Sequence, residues 1–360
     1  MNLEELSYVG IKPVISADYK CMPADFQVTE ELSFTPEGKG EHLYLFIEKS
    51  GMSTQEVQQE LCRFFQRPEV DVSFSGMKDK QAITRQWFSV RLPGSKYQSL
   101  ERLDSSTIKV LQASPNPRKL KRGSHRCNHF SIVLRKLSHD PAELQHSLEK
   151  IQSQGVPNYF GEQRFGWQGS SLEGAMQLFA KKPRRLSRYR RSLYISAARA
   201  FLFNQVLSER VTRQNWDQLL TGDVMQLNGT SATFVSGAED DKLIQRLATL
   251  DIHPTGPLWG SGTLQSQADC AALEQEIVQK FPVLKNGLED IGANMQRRAL
   301  RSPVLNLSYR VLEKDVLQLE FTLNRGAYAT AMLRELVNLP HQDEMRDLPA
   351  TGEKAVIEYH

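Results

Sequence analysis

Hydrophobic periodicity changes twice along this chain, and these changes constrain its fold more than any other feature of the sequence. Near both ends, apolar residues alternate with polar ones as in half-buried strands, in residues 42–48, 86–92, 108–112, 130–137, 304–309 and 316–323. The middle has helical spacing, in residues 195–211, 241–250 and 267–281. This order of strands, helices and a final pair of strands predicts one split domain with another domain inserted into it.

Local signals add detail to this plan. Further helices are predicted in residues 54–65, 141–154 and 328–339. Ser53 can cap the first of these and Gly155 can end the second. Residues 312–315 predict the turn of the final hairpin. Residues 254–260 contain two prolines and two glycines, which predicts a loop between the last two helices of the middle.

The composition is that of an ordinary globular protein. The 360 residues suffice for about two domains. No apolar run reaches the ~18–20 residues that span a bilayer, and residues 1–9 lack the basic segment of a secretory signal. Four cysteines stand far apart without a C-x-x-C pair, which predicts reduced thiols, no metal site and a cytoplasmic location. No apolar stripe indicates an obligate dimer, so we expect a monomer.

One short segment places an acidic side chain between two basic ones. Asp79 stands between Lys78 and Lys80, after a strand-like run and a flexible Ser-Gly pair. Nearby positive charge lowers the pKa of a carboxylate and favours its ionised form. The two lysines could also hold a polyanion beside it, which suggests chemistry on a nucleic acid. A solvated turn is the alternative, and the local residues alone favour that alternative.

Positive charge is concentrated in two further segments, although the net charge is only +3. Residues 118–126 contain five Lys and Arg and no acid, and residues 181–191 contain seven and no acid. A single basic cluster is more often solvated surface, but seven like charges repel one another and favour an anionic partner such as RNA. The predicted RNA-backbone contacts are Lys78, Lys80, Arg184, Arg185, Arg188 and Arg190.

Four separated motifs carry a family resemblance. They comprise residues 20–26 with 40–42; residues 76–80 with Thr84, Gln86 and Trp87; residues 157–166 with 196–199, Phe203 and Asn204; and residues 326–330 with 333–335. In these motifs and in their order the chain resembles the tRNA pseudouridine synthase D (TruD) family. The motifs extend over nearly the whole chain.

The resemblance implies a fold and an activity. The fold is α+β: a split pseudouridine-synthase catalytic domain, residues 1–153 and 302–360, on a mixed, largely antiparallel sheet with helices. A family-specific α/β domain, residues 154–301, is inserted. The activity implied is the cofactor-free isomerisation of a uridine in tRNA to pseudouridine, with uridine-13 as the expected target and tRNA as the partner.

The resemblance also implies roles for single residues. Asp79 stands at the place of the catalytic nucleophile, and Lys20 would support its charge, although a surface lysine is a nearly balanced alternative for Lys20. The substrate-side residues are Phe26, Asn128, Phe130 and Tyr328. Asn128 would hydrogen-bond the uracil edge and Phe130 would stack on the extruded base.

Three observations limit these assignments. The neighbours of Phe130 alternate as in a strand, so a core position competes with the stacking role. Tyr328 could instead pack the first turn of the last helix. Ala24 replaces the Glu that is usual in this family motif, which we expect to affect local packing alone.

Two other functions fit the basic segments. A non-catalytic tRNA-binding or RNA-folding protein would use residues 118–126 and 181–191 without changing a base. Another RNA modification, such as methyl transfer, is less favoured because the chain has no glycine-rich cofactor loop.

Overall fold

The computed structural model describes residues 5–94, 99–180, 186–237 and 241–339. The strands in these ranges are β1 (Asp18–Tyr19), β2 (Phe26–Leu32), β3 (His42–Ser50), β4 (Val72–Phe74), β5 (Ile83–Arg91), β6 (Ile108–Asn116), β7 (His125–Arg135), β8 (Val156–Pro157), β9 (Val224–Leu227), β10 (Thr233–Val235), β11 (Ile252–Leu258), β12 (Gln296–Ala299), β13 (Arg301–Ser302), β14 (Val304–Glu313) and β15 (Val316–Asn324). The α-helices are α1 (Thr54–Phe65), α2 (Gln145–Gln154), α3 (Ser170–Phe179), α4 (Arg188–Thr212), α5 (Asp241–Ala248), α6 (Ala268–Gln279), α7 (Pro282–Asp290) and α8 (Ala329–Leu333).

A large sheet joins the two ends of the chain. Its strand order is β14-β15-β7-β2-β5-β3-β6. In addition, β1 pairs with β7 and β4 pairs with β5. The β2–β5 pair is parallel, and the other pairs are antiparallel. The predicted α+β class with a mixed, largely antiparallel sheet is therefore confirmed. Strands β14 and β15 reach this sheet from the far end of the sequence, as the split-domain pattern requires.

Alternation along the central strands separates a packed face from an open one. On β2, Phe26, Val28 and Glu30 are buried, whereas the residues between them are half-buried. The packed face forms an apolar core with α2 and α8, while α1 covers a second core at the β3–β6 end. The caps are as predicted: Ser53 Oγ accepts from the Glu56 amide at the start of α1, and Gly155 ends α2 with a φ of 74°.

The middle of the chain forms a second layer of helices and a small sheet. Helices α3, α4, α6 and α7 share one apolar core, beside a four-stranded sheet of order β10-β9-β11-β12. Strands β8 and β13 pair with each other where the chain enters and leaves this region, with Pro157 opposite Arg301. The domain limits at 153/154 and 301/302 stay a prediction.

The prediction of a loop in residues 254–260 is wrong. Most of this segment belongs to the buried strand β11, which pairs with β9 up to Pro254 and with β12 from Thr255. Each half of β11 therefore has a partner on one side only. A strand edge tolerates proline because no ladder bond needs the missing N–H there.

The last helix is shorter than predicted. Helix α8 ends at Leu333, and the chain continues in turns until Asn338 bridges to Ser16. Residues 340–360 lie outside the described ranges. Within the described ranges, no helix is both long and apolar enough to cross a membrane.

Candidate active site

The carboxylate of Asp79 is held by donors from two distant parts of the chain. Asp79 lies in the connection between β4 and β5, and its side chain is 25% exposed. Its Oδ2 accepts a hydrogen bond from Lys20 Nζ at 2.9 Å, and its Oδ1 accepts one from Gln163 Nε2 at 2.7 Å. Both carboxylate oxygens are held by hydrogen bonds, and the side chain is still reachable from solvent. The segment around Asp79 is therefore more than a solvated turn.

Lys20 is not a surface lysine. It follows β1 with a φ of 57°, a left-handed conformation uncommon for a residue with a side chain. Its side chain is 7% exposed, and Nζ lies 4.2 Å from the centroid of the Phe26 ring. The ammonium group therefore touches both the carboxylate of Asp79 and an aromatic face.

Lys49 was not singled out by the sequence analysis, yet it supports the same loop. It lies near the end of β3 and is fully buried, and its Nζ donates to the carbonyl oxygens of Met52 at 2.6 Å and Asp79 at 2.7 Å. Burial lowers the pKa of Lys49 to about 8. A signal for it exists in the sequence, because Lys49 continues the inward alternation of Leu43, Leu45 and Ile47.

These contacts decide the charge state of the carboxylate. Burial by itself would raise the pKa of Asp79, but the charge of Lys20 and the hydrogen bonds from Gln163 and Lys20 outweigh it, with a further contribution from Lys49. The pKa of Asp79 is accordingly held below its usual value. An ionised carboxylate at neutral pH can act as a nucleophile or as a general base.

The lysines adjacent in sequence do not provide this support. Lys78 Nζ pairs with Glu30 at 2.6 Å, and the two side chains are 7% and 0% exposed. This pairing argues against a contact between the Lys78 ammonium group and an RNA backbone, and that contact stays a prediction. Lys80 turns to solvent and pairs with Glu56 at 2.8 Å; its contact with RNA stays a prediction.

Two aromatic residues line the neighbouring part of the packed face. The Phe26 and Phe130 rings meet edge to face with centroids 6.1 Å apart, and Phe130 stacks on Phe321 at 5.2 Å. Phe130 is half-buried and packs against the main core, as the alternative prediction of a core position expects. Its role in stacking on a base stays a prediction.

Asn128 presents an unpaired polar atom beside these rings. It is 8% exposed, lies opposite Glu30 on β2 and Leu323 on β15, and its Oδ1 has no hydrogen-bond partner among the residues that the structure describes. A buried acceptor without a partner costs about 1–3 kcal/mol. A bound molecule with an N–H or O–H group could supply the missing donor.

Tyr328 lies immediately before α8, close to the turn that contains Gln163. Its hydroxyl accepts from Arg164 Nη2 at 2.9 Å, and its ring meets Phe160 with centroids 6.1 Å apart. Both Gln163 and Arg164 belong to the 3₁₀ turn Glu162–Phe165. This turn therefore reaches Asp79 with one residue and Tyr328 with the next, which the sequence analysis did not foresee.

Two of the four predicted arginine contacts, Arg188 and Arg190, fall at the start of α4. Arg184 and Arg185 lie outside the described residues, whereas Arg188 and Arg190 are exposed in the first turn of that helix. This turn contains no acidic residue, and positive charge at a helix N-terminus is unfavourable. The two side chains are therefore not placed to stabilise the helix dipole, and their contact with RNA stays a prediction.

The arginines of residues 297–301 are structural instead. Arg297 pairs with Glu274 at 2.7 Å in a buried position, and Arg301 donates to backbone carbonyl oxygens. Arg298 lies over the Phe160 ring at 4.0 Å and donates to the Gly326 carbonyl at 2.9 Å, which fixes the segment before Tyr328.

Comparison with known proteins assigns the chain to a family. The sequence model of tRNA pseudouridine synthase D (TruD) matches residues 3–173 and 168–336. Proteins called tRNA pseudouridine synthase D are similar to this chain: that of Stutzerimonas stutzeri is 42% identical over 93% of this chain and 96% of its own length. The corresponding protein of Hydrogenovibrio crunogenus is 38% identical over 95% and 99%.

The fold is shared with a solved structure as well. The crystal structure of a Methanosarcina mazei protein assigned to the same family superposes with a TM-score of 0.70. It covers 92% of this chain and 95% of its own, at 20% sequence identity.

Proposed function

The chain belongs to the tRNA pseudouridine synthase D family, and from that premise we propose that Asp79 is its catalytic carboxylate and uridine-13 of tRNA its target. Membership makes the chain an isomerase that converts uridine in tRNA to pseudouridine. A non-catalytic RNA-binding protein and a methyltransferase do not agree with that membership. Cytoplasmic location and a monomeric state belong to the proposal too.

The single observation that carries the proposal is the pair of donors on Asp79. The reaction breaks the C1′–N1 bond, turns the uracil and joins C5 to C1′, so every bonding partner comes from the substrate. An ionised carboxylate can attack C1′ as uracil leaves with the bonding electrons, or it can take a proton from the sugar to give a glycal. Lys20 and Gln163 keep Asp79 ionised and oriented for either route.

The surroundings of Asp79 suit a detached uracil. A planar base stacked against the half-buried Phe130 ring would gain contact that offsets the few kcal/mol needed to extrude it. Asn128 Oδ1 would accept a hydrogen bond from the uracil N3–H and thereby lose its unpaired state. Tyr328 would close the site from the side of α8, with its hydroxyl held by Arg164.

Asp79→Asn tests the catalytic assignment, because it keeps the shape of the side chain and removes its charge. Isomerisation expels the C5 hydrogen, so release of tritium from C5-labelled uridine in a tRNA transcript measures turnover. We expect Asp79→Asn to bind the transcript and release no tritium, while Asp71→Asn, from the segment just before β4, behaves as the wild type. Release at the wild-type rate by Asp79→Asn would refute the assignment.

A second transcript tests the target position. With cytidine in place of uridine-13, tritium release should stop although binding persists. Undiminished release from this transcript would move the target to another uridine and leave the role of Asp79 untouched.

A further inference from the structure

The open face of the large sheet carries a polar cluster that the isomerisation does not use. Because side chains alternate along β7, Cys127 and His129 lie on the opposite face from Asn128 and Phe130. Glu31 on the neighbouring strand β2 is opposite Cys127 and completes the cluster. Three residue types that ligate transition metals therefore meet across two strands, outside the candidate active site.

The three potential ligand atoms lie close together. Cys127 Sγ is 3.4 Å from Glu31 Oε2 and 3.8 Å from His129 Nε2, and the latter two atoms are 2.7 Å apart. Ligands of a tetrahedral zinc ion, with bonds of about 2.0–2.3 Å, are roughly 3.4–3.6 Å apart. The two distances from Cys127 Sγ fit this geometry closely. The distance between Glu31 Oε2 and His129 Nε2 would have to lengthen by about 0.7 Å as the metal replaces their hydrogen bond.

Neighbouring side chains already hold two of these ligands. His129 Nδ1 lies 2.8 Å from the Thr322 hydroxyl, and Glu31 Oε1 accepts from Arg126 at 2.6 Å. The Thr322 hydroxyl can accept from Nδ1–H, which would leave the Nε2 lone pair free for a metal. Outer partners of this kind orient metal-bound histidines.

We propose that Glu31, Cys127 and His129 form a binding site for a divalent cation of the zinc type, with a fourth position for water. Binding would release the Cys127 thiol proton to solvent, while the proton on the His129 ring moves from Nε2 to Nδ1. The sequence analysis predicts no metal site, because a Cys-x-His pair completed by another strand is not a contiguous motif.

The site would act as a clamp between strands. It joins β2 to β7, and the opposite faces of these strands carry Phe26, Asn128 and Phe130. A metal is ligated by the thiolate of Cys127, so binding must displace the thiol proton. A ligand that binds only the folded protein raises its melting temperature.

Cobalt(II) is the probe that tests this site. Protein stripped with a chelator should take up one Co²⁺ per chain, with a thiolate-to-cobalt charge-transfer band that Zn²⁺ abolishes. Cys127→Ser should lose the band and His129→Gln most of the affinity, while Cys62→Ser, a matched change on α1, should retain both. Thr322→Val should weaken binding by about 10–100-fold, as expected for an outer partner.

A thermal measurement guards against variants that merely fold poorly. Zn²⁺ should raise the melting temperature of the wild type and Cys62→Ser, and leave that of Cys127→Ser unchanged. The proposal is wrong if the wild type shows no charge-transfer band, or if Cys127→Ser binds Co²⁺ as tightly as the wild type does.

Discussion

Removing the amide of Gln163 tests whether the carboxylate of Asp79 depends on a donor from the middle of the chain. Gln163→Ala deletes the 2.7 Å hydrogen bond to Oδ1 and leaves the Lys20 contact with Oδ2 in place. The carboxylate should then rotate more freely, and its pKa should rise because one of the contacts that lower it is gone. The freer rotation reduces the fraction of Asp79 that is oriented to react.

The size of the effect follows from the bond that is lost. A hydrogen bond to a charged group contributes about 1.5–3 kcal/mol, which corresponds to about 10–150-fold in rate. Gln163 is an exposed residue and Asp79 is 25% exposed, so water can replace part of the lost donor. We therefore expect the lower part of that range, about 10–30-fold in the single-turnover rate.

Single-turnover tritium release with saturating enzyme isolates this step from tRNA binding. Gln163→Glu should be slower than Gln163→Ala, because a second carboxylate at this distance raises the pKa of Asp79 further. Gln275→Ala, on the exposed side of α6, is the matched control and should not change the rate. A loss of less than about 2-fold in both Gln163 variants would refute the reasoning, since it would mean that Lys20 alone positions the carboxylate.

Three further outcomes are expected. Burial lowers the pKa of Lys49 to about 8, so its charge and its support for the loop of Asp79 disappear above that pH. Activity should fall there, and Lys49→Met should be slower and lack this alkaline limb in a pH–rate profile. Lys78→Met leaves the buried Glu30 without its cationic partner and should lower the free energy of unfolding in urea by about 3–5 kcal/mol, whereas Lys80→Met, which breaks an exposed pair, should leave it almost unchanged. Replacing Arg188 and Arg190 by Gln should reduce the slope of log affinity for tRNA against log salt by about 1–2, and an unchanged slope would remove them from the binding surface.

The shift of Lys49 also has a consequence for stability, and its sign is the reverse of that for activity. Between pH 8 and 10.5 the folded protein binds fewer protons at this residue than the unfolded chain does. Its contribution to the free energy of unfolding therefore rises over that window. Loss of activity above pH 8 should thus occur without loss of fold, which circular dichroism at the same pH values can check.

Local patterns in the sequence determined the plan of the fold. Alternation identified β3, β5, β6, β7, β14 and β15, because apolar residues recur along their sequences with the period of two that a strand imposes. Ser53 and Gly155 marked helix ends through hydrogen bonds within a few residues of themselves. The proline-rich β11 escaped detection, since its edge pairing depends on strands that are distant in sequence.

The sequence also made Asp79 the candidate reactive group, but the structure corrects which residues maintain its charge. The flanking Lys78 and Lys80 suggested how its charge would be maintained, yet both side chains pair with other glutamates. The groups that hold Asp79 are Lys20 and Gln163, which are 59 and 84 positions away. Adjacent side chains in an extended connection point in different directions, so neighbours in sequence need not be neighbours in space.

What the sequence by itself determined is therefore the family and the strand-and-helix order, and it made Asp79 the candidate carboxylate. What only the tertiary structure decided is which cations face Asp79, that Asn128 Oδ1 has no partner in the described chain, and that Glu31 meets Cys127 and His129. The physical reason is that these interactions act over different distances along the chain and in space. Propensity and capping act within a few residues, whereas a charge or a ligand acts over a few ångströms in space, wherever the fold has brought its partner.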